Sequence, residues 1–156
     1  MPDKANDFEK RLKLDELNIR VLAFGYFTFA LFEQVATDVI SHYDLNMGEF
    51  TVLWLLRNSK KEINLKMVKE GTLKYSGASI TKISDALIAR GYITRRENPS
   101  SRREKLVRAT PAGMKVANQA LADIDKLSGP LMKGLSATES RDLLKSLKAI
   151  FENITG

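Results

Sequence analysis

Apolar residues recur at helical spacing through the first third of the chain. Between about Leu12 and Tyr43 they return every three or four residues, so we predict one long helix there, after a polar lead-in over residues 1–10. A second apolar strip follows the same helix and needs a cover of its own, either more of this chain or a partner chain. The first strip comprises Leu14, Leu17, Val21, Phe24, Phe27, Leu31, Val35 and Val39, and the second comprises Phe29, Phe32, Ala36 and Ile40.

A capping signal predicts the start of a second helix. Asn46 is a good N-cap, and Glu49 follows it at the position of a capping box. We expect this helix to end near Arg57, before a loop over residues 58–61. Its inward-facing residues are Phe50, Leu53, Trp54 and Leu56.

Two shorter helices separated by a turn are predicted next. Asn64 caps a short helix that Gly71 ends. A turn over residues 72–76 leads into a helix over residues 77–90, which stops at Gly91. The inward-facing residues of this helix are Ile80, Ile83, Leu87 and Ile88.

Strand-forming residues follow immediately. Residues 92–97 and 105–109 read as two strands joined by a turn cluster at 98–101, which predicts a β-hairpin. The order helix, turn, helix and hairpin is that of a winged helix-turn-helix. The predicted fold class is therefore mostly α with a small β-hairpin wing, in a single domain over residues 1–156.

The C-terminal third is predicted to hold two helices. Thr110 and Pro111 supply the N-cap and first position of a helix that runs to about Leu127, where residues 128–130 interrupt or bend it. Ser136 caps the last helix, with a glutamate three residues on. This helix is apolar along Leu143, Leu147, Ile150 and Ile154.

The composition excludes several kinds of chemistry. The chain has no cysteine and one histidine, His42, so disulfides, thiolate nucleophiles and a histidine-rich metal site within one subunit are excluded. It also lacks a glycine-rich phosphate loop, so we expect no enzyme activity, cofactor or metal. The most apolar stretch, 21–31, is about half of the roughly 20 residues of a membrane span. With no apolar signal region at the N-terminus, we expect a cytoplasmic location.

The charge points to an anionic partner. The formal net charge is +6 and the isoelectric point about 9.5, which favours nucleic acid or an anionic membrane surface, although a basic balance also serves solubility alone.

The helix after the turn is the candidate DNA-recognition helix. Small and hydroxyl-bearing residues at its N-terminal end let a backbone approach DNA closely, and a helix N-terminus favours phosphate. An ordinary amphipathic helix with a capped start has the same pattern. The candidate DNA-binding residues here are Ser76, Gly77, Ala78, Ser79, Thr81 and Lys82.

The hairpin is rich in arginine. Arg95, Arg102 and Arg103 are candidate DNA contacts, the last two beside the tight turn where a side chain projects toward a groove or the backbone. A solvated charged hairpin is the alternative. A different functional class, a winged-helix module that binds proteins instead of DNA, would be expected to lack this positive charge.

These segments together resemble the MarR family of regulators. The match runs in order over about residues 12–154, and each motif is weak alone. Two positions depart from the family pattern: Ser101 stands where the wing usually has aspartate, and Ala109 where leucine is usual. The turn before Ile80 is also about one residue longer than usual. The matching segments are 45–53, 76–87, 91–95, 101–103, 109–113 and 135–139.

The resemblance implies a homodimer that binds an operator in double-stranded DNA. Dimerisation helices are expected at about 12–44 and 111–154, and the DNA-binding lobe at about 45–110. Family members often bind small aromatic or phenolic ligands between these regions, which implies Tyr26, Phe27 and Trp54 as ligand-binding residues. Plain core packing is the alternative for each of these three.

Overall fold

The N-terminal third forms two helices where the sequence predicted one. In the computed structural model, which describes residues 4–13, 15–59 and 61–156 apart from the side chains of residues 102 and 103, α1 spans Lys4–Leu12 and α2 spans Leu17–Ser41. Lys13 has a φ of 49°, a left-handed conformation that interrupts the helix. The predicted helix is confirmed as α2 but begins about five residues later, and the polar lead-in was wrong, because residues 4–12 form a helix of their own. Leu14 of the first strip, residues 1–3 and Lys60 in the predicted loop lie outside the described residues.

The second predicted helix begins with the predicted capping box. Helix α3 spans Met47–Asn58; the Asn46 side chain accepts the Glu49 N–H at 3.0 Å, and Glu49 accepts the Asn46 N–H at 3.0 Å. Leu53 is fully buried, as predicted. Trp54, which was expected to face inward, is 46% exposed in the single chain.

The helix-turn-helix pair consists of α4, Leu65–Thr72, and α5, Gly77–Ala89. Asn64 caps α4 as predicted, accepting the Met67 N–H at 2.8 Å. Gly71 does not end α4, because the helix continues to Thr72 and the left-handed residue is Leu73, with φ 55°. The chain after α5 turns at Gly91, whose φ of 70° explains the glycine there.

A three-stranded antiparallel sheet forms the wing. Strands β1 (Ile63–Asn64), β2 (Ile93–Asn98) and β3 (Ser101–Ala109) pair in the order β1-β3-β2. The hairpin confirms the prediction, but β3 begins at Ser101 instead of residue 105. The two-residue β1 was not predicted, because two residues carry no alternating pattern.

Two helices close the chain, α6 (Pro111–Leu131) and α7 (Ala137–Thr155). The helix was expected to be interrupted or bent at 128–130; it is not interrupted, because α6 passes through Pro130 and ends one residue later. Near the start of α6, a Cβ on Gly113 would lie 2.0 Å from the carbonyl oxygen of Tyr92. Only glycine permits this approach of α6 to the segment that leads into the wing.

The core lies where the helix-turn-helix, the sheet, α3, the end of α2 and α6 meet. Its side chains are apolar and almost fully excluded from solvent, so this part of the chain is a stable platform for α5 and the wing. It includes Ile40, Leu53, Val68, Ile80, Leu87, Ile93, Val107 and Ala120.

The terminal helices leave a large apolar surface uncovered. The accessible surface is 11499 Å², whereas a folded monomer of this mass is expected to expose about 7,900 Å². None of the residues of α7 is buried. Helix α2 is long and apolar enough to cross a membrane, by length and composition alone, so the expectation based on residues 21–31 counted too short a stretch. The exposed apolar residues include Leu17, Val21, Leu22 and Leu31 of α2, and Leu144, Leu147, Phe151 and Ile154 of α7.

Candidate nucleic-acid interface

The N-terminal end of α5 presents small side chains and free N–H groups. Ser76 is its N-cap: the Ser76 Oγ accepts the Ser79 N–H at 3.2 Å and lies 2.9 Å from the Ser79 Oγ. Thr81 donates its hydroxyl to the carbonyl of Gly77 at 3.1 Å. The helix dipole adds partial positive charge at this end, so the surface suits a phosphate or a base edge.

The predicted residues of this helix lie on its outer face. Ile80 and Leu87 face the core, and their burial turns the opposite side of α5 to solvent. Ser79 is half-buried, and the remaining predicted residues of α5 are exposed: Ser76, Gly77, Ala78, Thr81 and Lys82.

Two arginines of the wing are held by carboxylates. Arg95 pairs with Asp85 of α5 at 2.6 Å, which links the base of β2 to the recognition helix and offsets part of its charge. Arg96 forms an ion pair with Glu62, in front of β1, with Nε 2.9 Å from both carboxylate oxygens. The positive charge of β2 is thus partly used to fix the wing in place.

The Glu62–Arg96 ion pair shifts the pKa values of both residues. The hydrogen bond from Arg96 lowers the pKa of Glu62, helped by the charges of Arg96 and Arg108 and opposed by desolvation. The same hydrogen bond raises the pKa of Arg96. Glu62 therefore stays ionised to lower pH than an ordinary glutamate.

The other two predicted wing residues lie in a bulge. The register steps from Glu97 opposite Lys105 to Asn98 opposite Ser101, so residues 102–104 bulge out of the pairing near the hairpin tip. The strand backbone thus brings Arg102 and Arg103 to the end of the wing, and their side chains lie outside the described part of the chain.

A carboxylate anchors the tip of the wing to the helix-turn-helix. Glu104 accepts hydrogen bonds from Asn98 Nδ2 at 2.9 Å and from Asn64 Nδ2 at 3.2 Å. Asn64 is also the cap of α4, so one network joins the hairpin turn to the first helix of the pair. Ser101 replaces the usual aspartate of the family pattern, and Glu104 supplies a carboxylate three residues later.

Sequence reasoning missed further cations close to this face. Lys66 and Lys69 are exposed on α4, and Lys74 lies in the turn that leads to α5. These three lysines just before the recognition helix could have been recognised in the sequence as candidate DNA contacts. Lys66 is 3.9 Å from Glu70 in an exposed pair, which constrains it little.

A cavity of about 340 Å³ lies between α2, α3, α6 and the turn before α5. Trp54 lines this cavity, as the ligand prediction requires, but Tyr26 and Phe27 lie elsewhere on α2. Phe27 stacks edge-to-face with Phe8 of α1, and Tyr26 is 70% exposed. The aromatic residues that join Trp54 in the cavity are Phe29, Phe32, Phe50 and Tyr75.

One side of this cavity is charged. The Lys74 ammonium donates a hydrogen bond to Glu33 of α2, and this bond raises the pKa of Lys74. Both residues line the cavity beside aromatic rings, so an apolar interior has a polar margin. Such a cavity suits a flat ring that carries a polar or anionic group. No group of three or more metal-ligating side chains occurs among residues 4–13, 15–59 and 61–156.

Comparison with known proteins identifies relatives of the chain. The sequence profile of the MarR family matches residues 45–105. The multiple antibiotic resistance protein MarR of Escherichia coli K12 is 26% identical over 121 residues, which cover 76% of this chain and 81% of that protein.

Solved structures share the fold. A mutant MarR from Escherichia coli complexed with operator DNA superposes with a TM-score of 0.70 at 23% identity, covering 87% of this chain and 99% of that one. CouR from Rhodococcus jostii RHA1, bound to p-coumaroyl-CoA, gives a TM-score of 0.72 at 23% identity, covering 86% and 92%. The predicted mostly α fold with a β wing is confirmed by both.

Proposed function

Because this chain belongs to the MarR family of winged-helix transcriptional regulators, and is thus a DNA-binding regulator and no enzyme, we propose that it is a homodimeric repressor that binds a pseudo-palindromic operator. The observation that carries the proposal is the exposed N-terminal face of α5 beside a basic wing. The same chain leaves apolar faces of α2 and α7 without a covering partner.

The dimer is supported by the surface that one chain leaves uncovered. The excess over a compact monomer is roughly 3,600 Å² per chain, which is enough to supply one subunit's share of an obligate interface, where the two subunits together bury about 2,000–5,000 Å². An isolated helix such as α7 gains little stability without tertiary packing. We assign the dimerisation region to about residues 12–44 and 111–154, and the DNA-binding lobe to about 45–110.

A second copy is a better cover for α2 than a membrane. The helix carries Arg20, Glu33 and Asp38, and its residues Ala36 and Ile40 are packed into the core of the same chain. Charged side chains on a lipid-facing helix would be costly. A regulator that binds chromosomal DNA also works in the cytoplasm, which is the location we propose.

The proposed DNA contacts come from α5 and the wing. Residues 76–82 of each subunit enter the major groove, and Arg102 and Arg103 reach the flanking backbone or minor groove. Two subunits related by a two-fold axis then require an inverted repeat. An operator complex is described for the Escherichia coli MarR structure, and a DNA complex for MepR of Staphylococcus aureus.

A pair of substitutions on one helix tests the role of α5. Ala78→Glu places a carboxylate at the proposed DNA face, whereas Ala89→Glu adds the same charge at the far end, also on an exposed residue. We expect Ala78→Glu to weaken operator binding by at least about tenfold through charge repulsion, and Ala89→Glu to change it by less than about twofold. Equal affinities for the two variants in fluorescence anisotropy would contradict the assignment.

We further propose that a small aromatic anion binds in the cavity at Trp54 and releases the DNA. Two proteins of the same fold support this choice of ligand: CouR is bound to p-coumaroyl-CoA, and DNA binding by BpsR of Bordetella bronchiseptica is regulated by 6-hydroxynicotinic acid. Tyr26 and Phe27 line no part of the cavity in one chain, so their predicted role would require a site completed by the dimer.

Trp54 fluorescence tests the ligand proposal directly, because the chain has one tryptophan. Benzoic and phenolic acids are titrated while Trp54 emission and operator binding are followed together. Release of operator in parallel with the emission change supports the proposal, and a typical coupling corresponds to a loss of about 5- to 150-fold in affinity. If emission changes and the operator stays bound, the cavity binds ligands without regulating DNA binding.

A further inference from the structure

The turn before the recognition helix has a strained backbone at Leu73. This residue has φ 55° and ψ −34°, and the N–H of Lys74 donates to the carbonyl of Thr72 across it. Such a γ-turn is rare for L-amino acids. The Leu73 side chain is 69% exposed, so its own packing does not hold the conformation. The residues on either side of Leu73 therefore have to stabilise its backbone conformation.

These neighbours are anchored to other parts of the fold. Thr72 is buried, and Tyr75 is half-buried against the cavity. Between them, the ammonium of Lys74 donates to the Glu33 carboxylate on α2. Ser76, the cap of α5, follows directly. The turn before the recognition helix is thus connected to α2 through the Lys74–Glu33 ion pair.

The ion pair makes this connection directly, whereas the main packing contacts of the two helices are with other elements. Helix α5 packs on α3, α4 and β2, and α2 packs on α3 and α6. The Glu33–Lys74 pair spans 41 positions of sequence and joins α2 to the turn without an intervening element. Since α2 belongs to the proposed dimerisation region, the pair connects the dimer interface to the DNA-reading end of α5.

We propose that Glu33 and Lys74 are positioning residues, whose ion pair holds the strained turn against α2 and so sets the spacing of the two recognition helices in the dimer. The inference rests on the proposed function, because this spacing has meaning in a dimer that reads two half-sites. A fixed spacing makes the protein discriminate against operators whose half-sites are moved apart.

The direction in which Glu33→Gln changes the affinity for DNA distinguishes this positioning role from a simple effect of charge. Removing a negative charge from a DNA-binding protein should by itself tighten binding. Loss of positioning should instead weaken binding to the preferred operator by about two- to fivefold, the range expected for a partly exposed pair. It should also reduce the preference over an operator with one base pair inserted between the half-sites. Asp38→Asn, on the exposed side of the same helix, is the matched control and should keep that preference.

Charge reversal supplies a rescue experiment. Glu33→Lys and Lys74→Glu should each reduce the spacing preference, and the double variant should restore it, because the ion pair is re-formed with its polarity reversed. A pair that only stabilises the fold would change the melting temperature and leave the spacing preference intact. A double variant that fails to recover the preference overturns the proposal.

Hydrogen exchange tests the turn without DNA. In Glu33→Gln, the amides of residues 74–79 should exchange about two- to fivefold faster than in the wild type, and in Asp38→Asn they should not. Unchanged exchange in Glu33→Gln overturns the proposal. If the wild type binds no two-fold operator at all, the proposed function fails, and the exchange rates still decide whether the ion pair holds the turn.

Discussion

The guanidinium of Arg90 lies 2.6 Å from the carboxylate of Glu49, joining the end of α5 to the beginning of α3. The second oxygen of Glu49 accepts the Asn46 N–H at 3.0 Å, so one carboxylate both caps α3 and holds the recognition helix. Arg90 also lies over the ring of Tyr92, 5.4 Å from its centroid. The C-terminal end of α5 is thus fixed to the DNA-binding lobe, while its N-terminal end faces solvent.

Arg90→Met should destabilise the fold. The substitution leaves the Glu49 carboxylate, 7% exposed, without its cation, so we expect a loss of about 2–3 kcal/mol in the free energy of unfolding. Urea denaturation measures this loss. Lys66→Met, which breaks an exposed pair with Glu70, is the control and should change stability by less than about 0.5 kcal/mol. Similar values for the two variants would show that the Arg90 pair is not structural.

Gly113→Ala should also be costly, because the new Cβ meets the Tyr92 carbonyl at 2.0 Å and backbone has to move. We expect a loss of about 2–3 kcal/mol in unfolding free energy. Gly129→Ala, in the same helix and without such a backbone contact, should change stability by less than about 1 kcal/mol, because the gain in helix propensity is offset by the contact of the new Cβ with the ring of Pro130. Thermal unfolding of both variants measures these changes. A Gly113→Ala variant as stable as the wild type would contradict the close approach of α6 to Tyr92.

The helix starts were predictable because the forces that set them are local. Asn46, Asn64, Thr110 and Ser136 each accept an N–H from the residue three positions on, as their sequence contexts predicted. Ser76, which the sequence placed in the turn, caps α5 in the same way. The family resemblance then supplied the arrangement of these helices, and the structural comparisons confirmed it.

The remaining features depend on contacts between distant residues. The break at Lys13, the short strand β1 and the left-handed Leu73 leave no periodic signal in the sequence. Glu62 meets Arg96 across 34 positions, and Glu104 meets Asn64 across 40, so neither pair follows from spacing alone. The resemblance placed the ligand between the dimerisation helices and the DNA-binding lobe, but it did not tell which face of α2 lies there; in one chain the cavity is lined by Phe29 and Phe32 and not by Tyr26 or Phe27.

The Glu62–Arg96 pair predicts a pH dependence. Because the folded-state pKa of Glu62 is lowered, its stabilising contribution is present above the ordinary glutamate pKa and is lost as pH falls through the lowered value. Arg96→Gln should raise the Glu62 pKa toward its ordinary value. NMR titration of the Glu62 side-chain carboxyl carbon measures the shift, and an identical titration in both proteins would refute the pair.

The wing arginines should supply mainly sequence-independent affinity. Arg102→Ala and Arg103→Ala should each weaken operator binding and reduce the salt dependence by about one unit for each phosphate that the variant no longer neutralises. Arg141→Ala, on the exposed surface of α7, serves as the control and should leave the slope unchanged. An arginine inserted in the minor groove would instead affect A·T-rich sites most. Full binding by the double wing variant would exclude a role of the wing in binding DNA.

Selection of bound duplexes from a random-sequence pool tests the central claim most directly, because it reports DNA binding, sequence preference and symmetry at once. A dimer that reads two half-sites with α5 should enrich an inverted repeat whose half-site centres lie about 10 base pairs apart, or a multiple of that. The Ala78→Glu variant in parallel should enrich this repeat much less than the wild type. Enrichment of a single motif without two-fold symmetry, or no enrichment by the wild type, would contradict the account.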